Sequence, residues 1–302
     1  MATKRMFTLN SGSALPALGL GTWQSGPNEV YEAVLTALKT GYRHIDTAYV
    51  YGNEAEVGKA IKDSGISRED IFLTTKLWCT FHNNPEKNLD ISLKLLGTDY
   101  VDLYLVHWPI AFNPKGNDAL FPSLPDGSRD RMSNWDVTKT WELVQKLPGT
   151  GKVKAIGVSN CSTVTLEKLL NAPTTTIVPA VNQVELHPYL PQTKLLDYCK
   201  AKGIHVTAYS PLGSTNAPLQ QESAIQTIAK RLGKTPAQVL ISWAISRGTS
   251  VIPKSVTAER IISNFEDFVV DDADMAAIDS ISSHTTKRVV NPNWGEVVFH
   301  DD

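Results

Sequence analysis

Residues 71–77, Ile71-Phe-Leu-Thr-Thr-Lys-Leu77, and residues 101–107, Val101-Asp-Leu-Tyr-Leu-Val-His107, decide how this chain folds, together with what lies between them. Each is a short apolar and β-branched run that ends in polar residues, the pattern of a buried strand. The intervening segment opens with Asn84-Pro85, carries Leu89, Leu93 and Leu96, and stops at Gly97. Proline just inside the start and glycine just past the last apolar position bound a helix. Strand, helix, strand at this spacing is the repeating unit of a parallel sheet.

The unit recurs outward in both directions. Further strands are expected at residues 18–21, 44–46, 153–158, 180–185, 205–209 and 250–252. Val30, Ala33, Val34, Ala37 and Leu38 predict a helix closed by Gly41, and Ile225, Ile228, Ala229 and Leu232 another before Gly233. A capping box, Thr235-Pro-Ala-Gln238, opens one more. Eight such repeats predict an α/β fold, a (β/α)8 TIM barrel. Residues 7–15, with Asn10-Ser-Gly12 at their centre, read as a β-hairpin before the barrel. Residues 109–135, rich in Pro, Gly, Asn and Asp, read as a long loop over one mouth after strand four. The gap between residues 209 and 250 leaves room for an extra helix, and residues 283–302 read as a tail across a face. No break in composition divides the chain, so residues 1–302 are expected to form one domain. A doubly wound dinucleotide fold is discounted, because Gly19-Leu-Gly21-Thr-Trp-Gln24 puts Gln24 where the third glycine of its fingerprint belongs.

Composition narrows the function. With 302 residues, 29 Lys+Arg and 31 Asp+Glu, the formal charge is −2, which argues against nucleic-acid or membrane attraction. No stretch reaches the roughly 18 apolar residues of a membrane span, and residues 1–10 lack the apolar core of a signal peptide. Three scattered cysteines (Cys79, Cys161, Cys199) suit free thiols in a reducing compartment. A cytoplasmic protein is expected. The seven histidines include no close HxxxH pair, so no metal site is expected.

In a barrel of this kind chemistry gathers where strands end. Asp46, Lys76 and His107 each stand at or near the close of an apolar strand, and Tyr51 follows Asp46 on the loop. Singly these are ordinary core or packing residues. Converging, they make a proton-transfer site. The ammonium is expected to lower the phenol's pKa from roughly 10. The carboxylate would neutralise and hold the ammonium, and the imidazole could orient a carbonyl. Two other readings stand beside this one: a Schiff-base lyase with Lys76 as the amine, and a cofactor-loaded barrel that binds rather than turns over.

The motifs Asp46-Thr-Ala-Tyr-Val-Tyr51-Gly-Asn-Glu54, Thr75-Lys76-Leu-Trp78, Asp102-Leu-Tyr-Leu-Val-His107-Trp-Pro109, Gly157-Val-Ser-Asn160, Val181-Asn-Gln183-Val-Glu-Leu-His187-Pro188, Tyr209-Ser-Pro-Leu-Gly213 and Ile252-Pro-Lys-Ser255 resemble, in this order, the aldo-keto reductases. The look is nearest the fungal and yeast NADP-dependent aldehyde (alcohol) reductases, and it covers residues 9–265. The resemblance implies a monomeric NADPH-dependent enzyme that reduces aldehydes, with Asp46, Tyr51, Lys76 and His107 as catalytic tetrad and Tyr51 as general acid. It implies a cofactor path. Thr22, Trp23 and Asp46 would contact the cofactor, Ser159, Asn160 and Gln183 would bond the carboxamide, and Tyr209 would stack on the ring. Ser210, Leu212 and Ser214 would line the pyrophosphate, Lys254, Ser255 and Arg260 would hold the 2′-phosphate where a helix opens, Val256 and Thr257 would also contact the cofactor, and Asn264 would meet the adenine. An ammonium and a guanidinium around one phosphate favour NADPH over NADH. Trp23, Trp78 and Trp108, with Tyr51 and His107, would wall the substrate pocket, and Phe112, Phe121 and Trp294 would add to its rim. Such a cup leaves glycolaldehyde-like, aryl and sugar aldehydes open as the small-molecule substrate. Three positions depart from the family pattern: Ser263 stands where Glu is common, Cys161 where Phe is common, and Gly149-Thr-Gly151 enlarges a turn.

Overall fold

The structure, a computed structural model, describes residues 5–26, 28–214 and 218–300. The expected hairpin forms from β1 (Met6–Thr8) and β2 (Ala14–Pro16), paired antiparallel. Among the described residues, eight parallel strands then follow in chain order round one sheet. They are β3 (Leu20–Gly21), β4 (His44–Asp46), β5 (Phe72–Leu77), β6 (Val101–Val106), β7 (Val153–Ser159), β8 (Val181–Glu185), β9 (His205–Tyr209) and β10 (Ser250–Val251). Isolated parallel bridges from Leu18 to Val251 and from Gly21 to Lys254 join the last strand to the first. The sheet therefore closes as a (β/α)8 barrel. β3 and β10 are shorter than their apolar runs because this seam is held by single bridges.

Eight helices lie between strands among the described residues, α1 (Glu29–Thr40), α2 (Glu54–Asp63), α3 (Pro85–Leu96), α4 (Val137–Val144), α5 (Thr163–Leu170), α6 (Thr193–Ala201), α7 (Ser223–Leu232) and α8 (Pro236–Ser246), and α9 (Ala258–Asn264) and α10 (Asp272–Asp279) follow the last strand. The gap from 209 to 250 holds both α7 and α8. The capping box of α8 is present in both directions, Gln238 N to Thr235 Oγ1 and Thr235 N to Gln238 Oε1. The predicted starts and stops of α1 and α3 fall within one residue of the observed ones.

The two-residue period of a strand sorts the barrel interior into levels. At the floor, Leu9 and Leu15 of the hairpin region pack with Phe72, Leu103, Leu105, Ala155 and Val181. Burying such leucines stabilises by about 2 kcal/mol each. One step up, His44 Nε2 lies 3.3 Å from Thr74 Oγ1, and Ser250 Oγ lies 3.1 Å from His205 Nε2 and 2.7 Å from Thr207 Oγ1. The next step up is the mouth, where Asp46, Lys76, His107, Ser159 and Tyr209 stand at or just beyond the ends of their strands. Gly157 has no alternative on this inner face: a Cβ there would stand 2.5 Å from the Val181 carbonyl oxygen and 2.8 Å from Leu105 Cδ2.

Residues 107–136 hold no helix or regular strand. Bridges Phe112–Arg131 and Ser123–Arg129 fold them into an arm. The arm is tied to the mouth where Trp78 Nε1 donates to the Leu120 carbonyl at 2.7 Å and Thr80 Oγ1 to that of Ala119 at 2.9 Å. The tail crosses the same face, with Trp294 against Trp108 at a centroid distance of 4.8 Å; its last two residues lie outside the described set. One rim expectation is corrected. Phe112 is wholly buried behind Trp78 and Trp294, because the arm folds back on itself there. Phe121 is partly exposed, 5.1 Å from Trp78. Cys161 is buried in the main core, so its substitution is a matter of packing.

Candidate active site

Three strands and one turn bring the four proton-handling side chains together. Lys76, wholly buried on β5, donates from Nζ to Asp46 Oδ1 on β4 at 2.5 Å and to the Thr47 carbonyl at 2.8 Å. Its third donor faces Tyr51 Oη at 3.4 Å. Tyr51 sits on a 3-10 turn, Tyr49–Tyr51, that Gly52 ends in the left-handed conformation. His107 follows β6, its ring 5.7 Å from that of Tyr51 and 5.5 Å from that of Trp78. Thr22 secures Asp46 from the neighbouring strand, its Oγ1 donating to the Asp46 carbonyl at 3.0 Å.

Electrostatics corrects one expectation. Burial, reinforced by the Asp46 carboxylate, pushes the Tyr51 phenol well above its ordinary range. The ammonium does not pull it down because Asp46, in direct contact, already neutralises that charge. Burial likewise lowers Lys76 from its usual value, with Asp46 opposing the shift. His107 is held well below the ordinary imidazole value by burial and by Lys76, so its ring is neutral; Nδ1 is buried without a partner. Tyr51 is thus a protonated phenol beside a charge-compensated amine, an arrangement that can deliver a proton. Lys76 offers no lone pair to a Schiff base, since its three donors all face acceptors.

A hydrogen-bond chain leads from this group across the mouth. Gln183 Nε2 on β8 donates to Asp46 Oδ2 at 2.7 Å. Ser159 Oγ donates to the Gln183 carbonyl at 2.7 Å, and Asn160 Nδ2 reaches the His107 carbonyl at 3.0 Å and Ser159 Oγ at 3.2 Å. Tyr209 Oη donates to Asn160 Oδ1 at 2.8 Å. Asn160, Ser210 and Ser214 all adopt positive φ, at 59°, 50° and 54°, so the strand-end loops turn sharply at the positions expected to follow a dinucleotide. The second cluster lies at the barrel seam. Lys254 is exposed beside Gly21 and donates to the Gln24 carbonyl at 3.1 Å. Thr257 N bonds Ser255 Oγ at 3.1 Å, Arg260 is exposed on α9, and Asn264 is buried at its end. Leu212 and Val256 are partly buried and pack against the core. Two cations with two hydroxyls at one turn, an aromatic face and carboxamide-type partners are the donor set that a phosphorylated dinucleotide requires, and the residues fit NADP(H).

Trp23 is 48% exposed, its ring 4.8 Å from that of Tyr51. Trp78 and Trp108 are buried beneath Phe121 and Trp294. The aromatic wall is therefore built jointly by the mouth, the arm and the tail. Sequence reasoning missed Glu185, a wholly buried carboxylate at the end of β8, although it carries the same strand-end signal that picked out Asp46, Lys76 and His107.

Comparison with known proteins decides the lineage. The aldo/keto reductase family profile matches residues 17–283. The chain belongs to the aldo/keto reductase family. It is an oxidoreductase of that family. It is 55% identical to the glycerol 2-dehydrogenase (NADP(+)) of Saccharomyces cerevisiae, over 96% of this chain and 95% of that one. It is 54% identical to aldehyde reductase YPR1 of the same yeast, over 95% and 94%, and 48% identical to the D-galacturonate reductase of Hypocrea jecorina, over 96% of each. Among solved structures, the aldose reductase of Schistosoma japonicum superposes with a TM-score of 0.86 at 39% identity, covering 95% of this chain and 94% of that one. Among the described residues no helix is long and apolar enough to cross a membrane, and no group of three or more His, Cys, Asp or Glu is placed to hold a metal ion.

Proposed function

We propose that this protein reduces aldehydes, and some ketones or sugar aldehydes, to alcohols with NADP(H) as cofactor, and that Tyr51 is the general acid. The observation that carries the reading is Lys76 Nζ set between Asp46 Oδ1 and Tyr51 Oη at 2.5 and 3.4 Å. When bound, NADPH supplies a hydride from C4 of its nicotinamide. As negative charge develops on the carbonyl oxygen, Tyr51 Oη gives it a proton, and burial ensures that the proton is there to give. Lys76 then stabilises the phenolate left behind, and Asp46 keeps Lys76 in place. Neutral His107 donates from its second nitrogen to orient the carbonyl oxygen. A well-placed donor to such a charge is worth about 2.7–4 kcal/mol.

Ser159, Asn160 and Gln183 hold the carboxamide in this reading, Tyr209 stacks on the ring, and Thr22, Trp23 and Asp46 flank it. Ser210, Leu212 and Ser214 follow the pyrophosphate. Lys254, Ser255, Val256, Thr257 and Arg260 receive the 2′-phosphate, and Asn264 the adenine. The names carried by the yeast and Hypocrea relatives, an NADP(+) dehydrogenase, an aldehyde reductase and a sugar-acid reductase, support both cofactor and reaction. Trp23, Trp78 and Trp108 form the substrate cup. The enzyme works as one barrel domain over residues 1–302 and as a cytoplasmic monomer. A survey of carbonyl compounds with NADPH, followed at the nicotinamide absorbance, tests the reading: aldehydes should be turned over, and failure of every aldehyde would overturn it.

A further inference from the structure

Glu185 lies two residues beyond Gln183 on the same inward face of β8, yet proton transfer makes no use of it. Its buried carboxylate accepts from the main-chain N–H of Val289 at 2.6 Å, from that of Val290 at 2.7 Å, and from His187 Nε2 at 2.8 Å. The two main-chain donors stand 104 and 105 residues further along the chain. A carboxylate only accepts, so two successive amides and a ring N–H form a matched set around it. Lys287 N donates to the Tyr189 carbonyl at 3.0 Å and ties the tail to the same β8 loop.

These ties matter because the tail has no hydrogen-bond ladder of its own: residues 284–300 contain neither helix nor strand. Its course is set at the points where it is held. Four residues past Val290, Trp294 packs against Trp108 at 4.8 Å, Phe112 at 5.2 Å and Trp78 at 6.2 Å. Val298 and Phe299 continue the same cluster. The strand that joins Asp46 through Gln183 thus also holds the root of the segment that builds the aromatic wall.

We propose that Glu185 is a positioning residue for substrate selection: by gripping the amides of Val289 and Val290 it fixes where the tail turns over the mouth, and so how Trp294 faces Trp78 and Trp108. The proposal rests on the reductase reading above. Exchanging the carboxylate for an amide would leave one tail N–H facing another N–H inside the protein, which loosens the grip while keeping the size of the side chain.

The test compares Glu185→Gln with the wild type on a small aldehyde, glycolaldehyde, and a bulky one, 4-nitrobenzaldehyde. KM for the aryl aldehyde should rise about tenfold, the loss expected when a buried hydrogen bond to a charged group fails. KM for glycolaldehyde, kcat for both and the NADPH Kd from fluorescence quenching should stay about unchanged. Limited trypsin cleavage at Lys287 and Arg288 should quicken in the variant. Trp294→Ala should likewise raise KM for the aryl aldehyde, and the double variant should lose no more on it than either single one, because both act through one wall. Parallel losses on both aldehydes, additive losses in the double variant, or trypsin cleavage at the wild-type rate would overturn the proposal. If Glu185→Gln does not fold, Glu185→Asp keeps the charge but withdraws it by one methylene, and the same split at about threefold is expected; its absence would be equally fatal. A wild type that reduces neither aldehyde would sink the reductase reading instead, and the cleavage rates would still decide the grip.

Discussion

Gln183 donates its side-chain amide to Asp46 Oδ2 at 2.7 Å, joining residues 137 positions apart and linking the expected carboxamide site to the proton-handling group. Gln183→Leu should therefore weaken both functions. Loss of a hydrogen bond to a charged, buried acceptor costs about 1.5–3 kcal/mol. NADPH affinity, followed by fluorescence, and kcat should both fall. Unaltered affinity with a reduced kcat would confine Gln183 to Asp46.

Tyr51→Phe should lower kcat for aldehydes by about 10²–10⁴, the usual worth of a positioned acid, with NADPH affinity nearly intact. Because burial and Asp46 raise the phenol's pKa, Tyr51 stays protonated in alkaline solution. Aldehyde reduction should then show no loss from Tyr51 ionisation between about pH 7 and 9. A fall across that range that Tyr51→Phe abolishes would contradict the assignment.

Lys76→Met leaves the Asp46 carboxylate buried and without its ion-pair partner. Removing one member of such a pair costs about 3–5 kcal/mol. Adding Asp46→Asn should recover part of that loss in urea unfolding. A double variant less stable than Lys76→Met would show that the pair is not coupled as the 2.5 Å contact implies.

How much of this was legible in the sequence follows from where each signal resides. The strand ends at Asp46 and Lys76 were readable because short apolar runs bounded by Gly and polar residues leave little choice of register. α1, α3, α7 and α8 declared themselves by apolar spacing and caps. α6 and α10 gave weaker signals, with few buried positions on polar helices. The direction of the Tyr51 shift was not legible, since it depends on burial and on Asp46 having already satisfied Lys76. Nor was the place of Phe112, which the folding of the arm decides.

Acid should destabilise the protein through its interior histidines. Burial lowers His44 to about 4, His205 to about 4 and His82 to about 3. An unfolded chain takes up these protons near pH 6.5 while the folded one does not. Stability is therefore complete above about pH 6.5 and declines as the pH falls towards about 4, at up to about 1.4 kcal/mol per unit for each histidine. Urea midpoints measured from pH 7.5 to pH 5 should fall, and His205→Gln should flatten the decline.

Arg260→Ala should weaken NADPH binding far more than NADH binding. The guanidinium is exposed on α9, just beyond Lys254 and the Ser255–Thr257 turn, and in the proposed reading a doubly charged 2′-phosphate meets both cations there. Equal losses for the two dinucleotides, measured by competition at the nicotinamide fluorescence, would remove Arg260 from 2′-phosphate recognition.

Leu9 and Leu15 stopper the lower end of the barrel against Phe72, Leu103 and Leu105. The reacting side chains consequently trade with bulk water through the opposite opening. In the proposed reaction, whatever fills that doorway would also stand in the route by which a Tyr51 phenolate regains its proton. On that reading a product would have to leave before the next proton arrives, which would tie the tempo of recharging to the tempo of release.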